Sequence, residues 1–370
     1  MRSRVPPSIS TCLGTIGVAA LLFGCAPVSQ PGIASAGPEP RSLEESGSLY
    51  SLAASSARST IYESHTISFA LDRIDQRTLP LDQTYRHPGT GHGVTVYVFD
   101  GGISTTHSEL AGRVRIGYTA FPDDPKICNA HGTAVAGAIA GSTLGVAPQA
   151  EIVDVKMVEC DKLRGTIKAI VDGTHWVIED HKAHPGPAVA NWSFIADTAE
   201  RIPGLDSAVA ELKAAGIPVV VSAGNMDIDA CRVSPGNSGE AIVVGASSIQ
   251  AVTRGDSLIE TRDRRAPGTA YGRCIDLYAP GDSVLLPSLD RDFAPIAQLW
   301  NGTSMSAGYV SGAAALILEA HPKATPDQVA RELEREATQN TVADARAPVT
   351  RMLYVGPIQP VPVVRTASRR

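Results

Sequence analysis

The amino-acid sequence predicts an α/β fold, a three-layer sandwich in which helices cover both faces of a parallel sheet. Runs of β-branched and apolar residues recur without the alternation of half-exposed strands, and stretches of helical length separate them. Continuous apolar runs are typical of strands buried on both faces, and alternating strands and helices are typical of parallel sheets. The predicted strands are 94–99, 151–155, 188–192, 217–221 and 241–244, and the predicted helices are 133–140, 165–181, 204–215 and 304–320.

A last helix is predicted after Thr325, near the end of the folded part. Thr is favoured as an N-cap because its hydroxyl accepts a hydrogen bond from a free backbone N–H, and Pro326 is tolerated in the first turn. The folded part is expected to end near Gly356, because residues 357–370 are a Pro-rich basic tail. With 370 residues, of which 43% are hydrophobic, the chain is long enough to bury a substantial core.

Residues 1–25 predict export. Two arginines precede an apolar run at 13–23 that is too short to span a bilayer, which is the pattern of a signal peptide. The run leads to Cys25, whose setting resembles the lipobox of bacterial lipoproteins, so a lipid anchor and plain cleavage both stay open. Residues 26–70 are rich in Pro, Gly and Ser and predict a linker or a short pro-segment. The mature chain is therefore expected to be extracytoplasmic, either secreted or lipid-anchored in the bacterial envelope.

The charge of the chain argues against nucleic acid as a partner. The formal net charge is −6, and no block of like charges stands out along the sequence. A basic field that would attract nucleic acid is therefore not expected. Contact with a membrane is expected only through the lipid anchor, and the chain is expected to be a monomer.

The cysteines beyond the signal region predict disulfides. These residues are Cys128, Cys160, Cys231 and Cys274. Four cysteines in an exported chain favour two disulfides over buried free thiols, and sequence arithmetic leaves three connectivities open.

Four polar residues are candidates for chemistry because of where they fall in the predicted sheet. Asp100 and Asn225 each follow a predicted strand, and His131 and Ser304 lie at predicted helix starts. The carboxyl ends of parallel strands are where such sheets carry their sites, and a helix start offers free N–H groups to a developing oxyanion. Each residue alone also has a structural explanation, as a turn residue, a buried histidine or a helix cap. The combination is what points to a site.

The segments around these residues resemble the subtilase family, in its proteinase K and aqualysin branch. The resemblance covers roughly residues 71–356, and its motifs are D-G-G at Asp100, H-G-T at His131, A-G-N at Asn225 and G-T-S-M at Ser304. It implies a subtilisin-like fold and a serine endopeptidase acting on proteins or peptides. In that mechanism Ser304 attacks the scissile carbonyl, His131 is the general base, Asp100 orients the imidazole and Asn225 donates to the oxyanion.

The same resemblance implies a pairing of the cysteines. In that branch, a cysteine just before the catalytic histidine pairs with one a few residues after a later strand, which here are Cys128 and Cys160. Its second disulfide begins shortly after the oxyanion asparagine, which here implies Cys231 with Cys274.

A structural calcium ion is also implied near the start of the domain, with no cofactor needed for catalysis. Carboxylate and amide oxygens are ligands that Ca²⁺ accepts. The residues that would supply them are Asp72, Asp75 and Gln76. A solvated acidic segment is the alternative.

The substrate-binding wall departs from the family pattern. Where the family carries S-L-G-G, this chain carries Ser193, Phe194, Ile195 and Ala196, and the opposite wall is Ala223 and Gly224. Substrate backbone is expected to add to the first wall as a strand. The side chain of Ile195, where glycine is usual, is expected to narrow or redirect a subsite.

Two further departures from the family pattern bear on the function. Gly308 replaces a proline after the nucleophile and is expected to loosen the helix, and the stretch 249–269 is longer than usual. The altered wall and Gly308 motivate a second hypothesis, a peptide-binding pseudoprotease or anchored scaffold on the same fold. An α/β-hydrolase esterase would need a G-x-S-x-G elbow, which the sequence around Ser304 lacks.

Overall fold

The computed structural model of the protein describes residues 18–19, 61–196, 200–254 and 257–356. Cys25, most of the predicted signal peptide and linker, and the predicted tail lie outside these residues. Within the described ranges, no helix combines the length and apolar character needed to cross a membrane.

The elements follow the predicted alternation of strands and helices. The strands are β1 (Val18–Ala19), β2 (Tyr62–His65), β3 (Thr84–His87), β4 (Thr95–Asp100), β5 (Val114–Thr119), β6 (Glu151–Lys156), β7 (Val158–Glu159), β8 (Arg164–Gly165), β9 (Ala188–Trp192), β10 (Ile195–Ala196), β11 (Val219–Ser222), β12 (Ile242–Arg254), β13 (Ser257–Arg265), β14 (Leu277–Pro280), β15 (Val284–Leu289) and β16 (Pro295–Trp300). The α-helices are α1 (Phe69–Ile74), α2 (His131–Ala140), α3 (Ile167–Ala183), α4 (Pro203–Ala214), α5 (Thr303–Ala320) and α6 (Pro326–Glu336).

A parallel-rich sheet is the centre of the molecule. Its strands follow the order β13-β12-β11-β9-β4-β6-β5, and β14 pairs with β12 beside this path. The pairs from β5 through to β12 are all parallel, as is the pair of β12 with β14, whereas β12 and β13 are antiparallel. The predicted parallel sheet is therefore confirmed.

Helices cover both faces of this sheet, as predicted. Strand β4 shows how the two layers divide, because successive side chains of a strand point to opposite faces. Val96 and Val98 pack in one apolar core with residues of α2 and α5, and Tyr97 and Phe99 pack in the other with residues of α3 and α4. The three-layer α/β sandwich is confirmed.

Helix α5 lies in close contact with α2, and glycines permit the approach. A Cβ added to Gly308 would lie 2.9 Å from Ala138 Cβ and 3.1 Å from the Val135 carbonyl oxygen. Helix α5 is continuous across Gly308, although this residue was expected to loosen it. The glycine therefore has a packing role here, since a larger residue would force the two helices apart.

The predicted last helix is confirmed as α6, with the predicted cap. The Thr325 hydroxyl accepts a hydrogen bond from Gln328 N at 3.3 Å, and Thr325 N donates to Gln328 Oε1 at 2.8 Å. This reciprocal pair is a capping box, and Pro326 occupies the first turn.

Ordered structure begins ahead of residue 71. Strands β2 and β3 pair antiparallel, and helix α1, which lies between them in sequence, starts at Phe69 with the Ser68 hydroxyl as its cap. The side chain of Arg73 on α1 then forms two hydrogen bonds with the Asp263 carboxylate on β13, at 2.8 and 2.7 Å. The last ten residues of the predicted linker are therefore part of the fold.

The long stretch after β11 forms an extended hairpin. Strand β12 continues past the sheet to Arg254 and pairs with β13 from Ser247↔Arg265 to Arg254↔Ser257, with an irregularity at Val252. Most of the unusual length noted for residues 249–269 is therefore a pair of strands and not an irregular loop.

Two disulfides join neighbouring segments. Cys128 pairs with Cys160 at a Cα–Cα distance of 4.7 Å, and Cys231 pairs with Cys274 at 5.2 Å. These are the pairs that the family resemblance implies. The first links the loop before α2 to the segment after β7, and so ties down the chain that leads into His131.

Candidate active site

The four candidate residues lie at the carboxyl edge of the sheet. Asp100 is the last residue of β4, Asn225 follows β11, His131 is the first residue of α2, and Ser304 is the second residue of α5. Parallel strands all end at this edge, so residues far apart in sequence meet there. The helix starts place free backbone N–H groups at the same edge.

Asp100 and His131 form a buried pair. The Asp100 Oδ2 to His131 Nδ1 distance is 2.8 Å, and Gly101 N donates to the other carboxylate oxygen at 2.7 Å. The carboxylate thereby receives the Nδ1–H, which leaves Nε2 as the acceptor of the neutral ring. Burial lowers the pKa of His131, but the charge of Asp100 and its hydrogen bond outweigh burial, so the pKa is raised above its ordinary value.

Ser304 is held by a reciprocal contact with Ser193. Its hydroxyl donates to the Ser193 carbonyl oxygen at 3.1 Å, and the Ser193 hydroxyl donates to the Ser304 carbonyl oxygen at 2.9 Å. The start of α5 has no side-chain cap, because Gly302 occupies the N-cap position with φ 135°. In this first turn Thr303 N donates to Asn225 Oδ1 and Met305 N to the Gly302 carbonyl, which leaves Ser304 N, among the described residues, available to a ligand.

The side-chain amide of Asn225 has its oxygen fixed by hydrogen bonds and its nitrogen free of them among the described residues. Its Oδ1 accepts hydrogen bonds from Thr303 N at 2.9 Å and from the Thr303 hydroxyl at 3.0 Å. Two donors at one atom identify it as the oxygen. Among the described residues, Asn225 Nδ2 has no such partner and is free to donate beside the start of α5.

The two predicted substrate walls flank Ser304. Residues Ser193–Ala196 follow β9, and Ala223 and Gly224 follow β11. Strand β1 of the same chain pairs antiparallel with both β10 and β8. An extended segment therefore fits between these two edges. Strand β8, at Arg164–Gly165, was not identified from the sequence, because two residues without apolar periodicity carry no strand signal.

Two other side chains near the pair were also missed by sequence reasoning. The Trp300 ring lies edge-on to the His131 ring, with centroids 6.2 Å apart. Asp154 on β6 is buried, and burial, together with the charge of Asp100, raises its pKa to about 7. The only sequence signal for Asp154 is an acidic residue inside an apolar strand.

The proposed calcium ligands lie close together at the start of the domain. Asp72 accepts from Asp82 N at 3.1 Å and from Gln83 N at 2.7 Å, and Asp75 Oδ2 accepts from Arg86 N at 2.7 Å. In the described part of the chain, Asp75 Oδ1 is buried without a partner. Burial raises the pKa of Asp75 to about 7.

Gln76 and the number of nearby carboxylates limit what the proposed calcium site can offer an ion. The Gln76 amide donates to the carbonyls of Thr78 and Pro80. Its Oε1 is not used in these bonds. Among the described side chains, the one cluster of three metal-binding groups is Asp124 with Cys128 and Cys160, and both cysteines are in a disulfide. A third carboxylate therefore does not join Asp72 and Asp75.

An acid–histidine pair, a serine at a helix start and an asparagine amide at one sheet edge define the class of Ser-His-Asp sites built on α/β folds. A model of the subtilase family matches residues 91–350. The chain belongs to the subtilase family.

Individual relatives agree with this assignment. An extracellular serine proteinase of Thermus sp. (strain Rt41A) is 41% identical over 280 residues, covering 75% of this chain and 63% of that protein. Alkaline serine exoprotease A of Vibrio alginolyticus is 35% identical over 288 residues, covering 77% of this chain and 50% of that protein. The chain thus spans less than two thirds of the length of these relatives.

A solved structure shares the fold. The crystal structure of a cold adapted subtilisin-like serine proteinase is 37% identical, with a TM-score of 0.67. It covers 79% of this chain, and 99% of its own chain is matched. The subtilisin-like fold implied by the sequence is confirmed.

Proposed function

We propose that this protein is a serine endopeptidase in which Ser304 forms an acyl-enzyme with the substrate. The observation that carries this proposal is the 2.8 Å hydrogen bond from His131 Nδ1 to Asp100, beside a serine at a helix start. That bond leaves Nε2 to take the Ser304 proton and later to deliver it to the leaving amine. The serine hydroxyl must first turn from the Ser193 carbonyl towards the imidazole.

The developing oxyanion has two donors in this proposal. One is the Asn225 Nδ2 group, which its neighbours leave free, and the other is the backbone N–H of Ser304 in the uncapped first turn of α5. Donors fixed before the reaction stabilise the transition state without reorganisation. The Asp100 carboxylate stabilises the imidazolium that forms on His131.

The substrate is an extended peptide that adds a strand between β10 and β8. The chain's own β1 in this position supports the proposal, because its backbone pairs with both edges. Main-chain hydrogen bonds of this kind bind a peptide without regard to its sequence, and pockets beside them select side chains. Proteins and peptides are therefore the proposed partners of a monomeric enzyme.

The decisive experiment is labelling with a serine-directed fluorophosphonate probe together with casein cleavage. Wild type is expected to be labelled and to cleave casein, because His131 activates the Ser304 hydroxyl. Ser304→Ala is expected to lose both. Ser306→Ala, two residues along the same helix, is the matched control, because its hydroxyl donates to the Ala279 carbonyl at 3.0 Å, away from the pair.

Two results would contradict the proposal. Labelling that persists in Ser304→Ala would place the nucleophile elsewhere. A folded wild type that is neither labelled nor active would support the second function, a peptide-binding scaffold. The hydrogen bond from the Ser304 hydroxyl to the Ser193 carbonyl would then keep the hydroxyl turned away from His131.

Calcium is proposed as a structural ion held by Asp72, Asp75 and Gln76. The unpartnered buried Asp75 Oδ1 supports this, because a bound cation would neutralise it. In a Ser304→Ala background, CaCl2 is expected to raise the Tm above its value in EDTA, and Asp75→Asn is expected to remove that difference. Equal Tm values for the parent protein in both buffers would rule the ion out.

The proposal also assigns a role to each segment of the chain. Residues 1–25 act as the signal peptide, residues 26–60 as a linker or pro-segment, residues 61–356 as the peptidase domain, and 357–370 as a tail. The name of the Thermus relative, an extracellular proteinase, supports an extracytoplasmic location. Mass spectrometry of the exported protein distinguishes lipid-modified Cys25 from a chain cleaved without lipid.

A further inference from the structure

Ile195 points away from the core, into the cleft. Trp192, Phe194 and Ala196 all belong to the apolar core on the α3 and α4 side, and the Phe194 ring stacks on Trp192 with centroids 5.3 Å apart. Side chains alternate along an extended segment, so those of Ser193 and Ile195 point to the opposite side. The Ser193 hydroxyl does so, since it bonds the Ser304 backbone.

The side chain of Ile195 crosses to the other wall of the cleft. A Cβ built on Gly224 would lie 3.0 Å from Ile195 Cδ1 and 3.6 Å from Cγ2. Gly224 has φ +102°, a conformation that favours glycine, so this wall has no side chain of its own to meet it. Ile195 is 4% exposed yet belongs to neither core cluster.

This contact lies where the substrate side chain must go. A carbonyl under attack by Ser304, with its oxygen at Asn225 Nδ2, has its acyl residue between Ser193 on one wall and Gly224 on the other. The residue on the acyl side of the scissile bond, called P1, therefore projects its side chain between the walls. That space is occupied by the four side-chain carbons of Ile195.

We propose that Ile195 fills the P1 pocket and limits the enzyme to Gly and Ala at P1. The inference rests on the proposed peptidase function and deepens it by naming the substrate class. Ile195 is an aliphatic plug that meets Gly224, which has no side chain, on the facing wall, so a P1 side chain beyond a methyl group clashes with it. A glycine or alanine at P1 needs no such space.

The test compares kcat/KM for four peptides that differ only at P1, as Gly, Ala, Leu or Phe. Wild type is expected to cleave the Gly and Ala peptides and to cleave those with Leu or Phe at least about 100-fold less well, the scale at which pockets discriminate by size. Ile195→Gly is expected to raise kcat/KM for Leu and Phe by about 100-fold. Ile195→Ala, which keeps a Cβ, is expected to fall between them.

The matched control is Ile116→Gly, which removes the same atoms from an exposed position on β5, where Ile116 is 51% exposed. Its P1 profile is expected to equal that of wild type. Fluorophosphonate labelling of every variant reports on an assembled Ser304 and His131 independently of the P1 pocket.

The outcomes separate the two levels of the argument. The proposal that Ile195 fills the P1 pocket is overturned if wild type cleaves after Leu or Phe as well as after Ala. It is also overturned if Ile195→Gly is labelled but keeps the wild-type preference at P1. A wild type that is labelled but does not cleave the Gly and Ala peptides overturns the P1 proposal as well. A protein that is neither labelled nor active on any of the four overturns the peptidase function itself.

Discussion

Asn225 shows how much of a site depends on one atom of one residue. Its oxygen is fixed by two donors from Thr303, which sets the direction of the nitrogen without any help from substrate. The amide is therefore oriented before a peptide binds. In the proposed mechanism its contribution belongs to the transition state, because only there does a full negative charge develop beside it.

Asn225→Ala is accordingly expected to lower kcat by about 100- to 1000-fold, with KM and folding little changed. The pH dependence of kcat/KM should keep its shape, because Asn225 does not contact His131. It should rise with pH as the imidazole loses its proton, with a midpoint above about 6.5 because the His131 pKa is raised.

Steady-state kinetics over a pH series measures both expectations. Asn237→Ala is the matched control, since its side-chain oxygen accepts a hydrogen bond from the Ser234 hydroxyl, at 3.1 Å, and not from Thr303. Undiminished turnover in Asn225→Ala would remove the residue from the mechanism.

At this scale the sequence predicted positions better than contacts. It identified Asp100, His131, Asn225 and Ser304 by their places at strand ends and helix starts, which depend on local pattern. It predicted that Ile195 would alter a subsite but not that it meets Gly224. That contact depends on how two strands lie relative to each other, which no local pattern specifies.

At the scale of elements, the order of strands and helices was predictable and the ends were not. Helix α2 begins at His131, two residues before its predicted start, because its N-cap, Ala130, makes no side-chain cap that the sequence could signal. Strand β11 begins at Val219, two residues after its predicted start at 217. Element existence follows from long apolar runs, whereas boundaries follow from single caps.

The hairpin of β12 and β13 escaped prediction for a related reason. Its outer part has polar and charged residues on both strands, and it pairs with itself beyond the sheet. Residues 249–265 show no sustained alternation of apolar and polar side chains, so the sequence indicated only unusual length.

At the scale of the whole molecule, the Arg73–Asp263 pair joins the first helix to the last long strand. The two side chains are 1% and 3% exposed, and two hydrogen bonds hold them in parallel. An intact buried ion pair of this kind adds little to the free energy of unfolding, because the cost of removing both charges from water offsets their attraction. Breaking it is costly, because one charge is left buried alone.

Arg73→Ala is therefore expected to lower the free energy of unfolding by about 3–5 kcal/mol. Replacing both partners, as Arg73→Met with Asp263→Leu, should cost much less. Urea unfolding in a Ser304→Ala background measures this without self-digestion.

Lys162→Ala serves as the control, because that exposed side chain pairs with Glu159 at the surface, where the loss should be too small to resolve. A double variant as unstable as Arg73→Ala would show that packing, and not the unpaired charge, dominates.

Helix α5 carries Ser304, the proposed nucleophile, on a segment buried in the interior of the protein. It is buried from Thr303 to Leu316 and packs between the sheet, α2 and α6. Ser304 thus cannot be displaced while the rest stays native, so heat inactivation and loss of the native state should be one event. The activity that remains after heating should therefore be proportional to the fraction of molecules that are still folded.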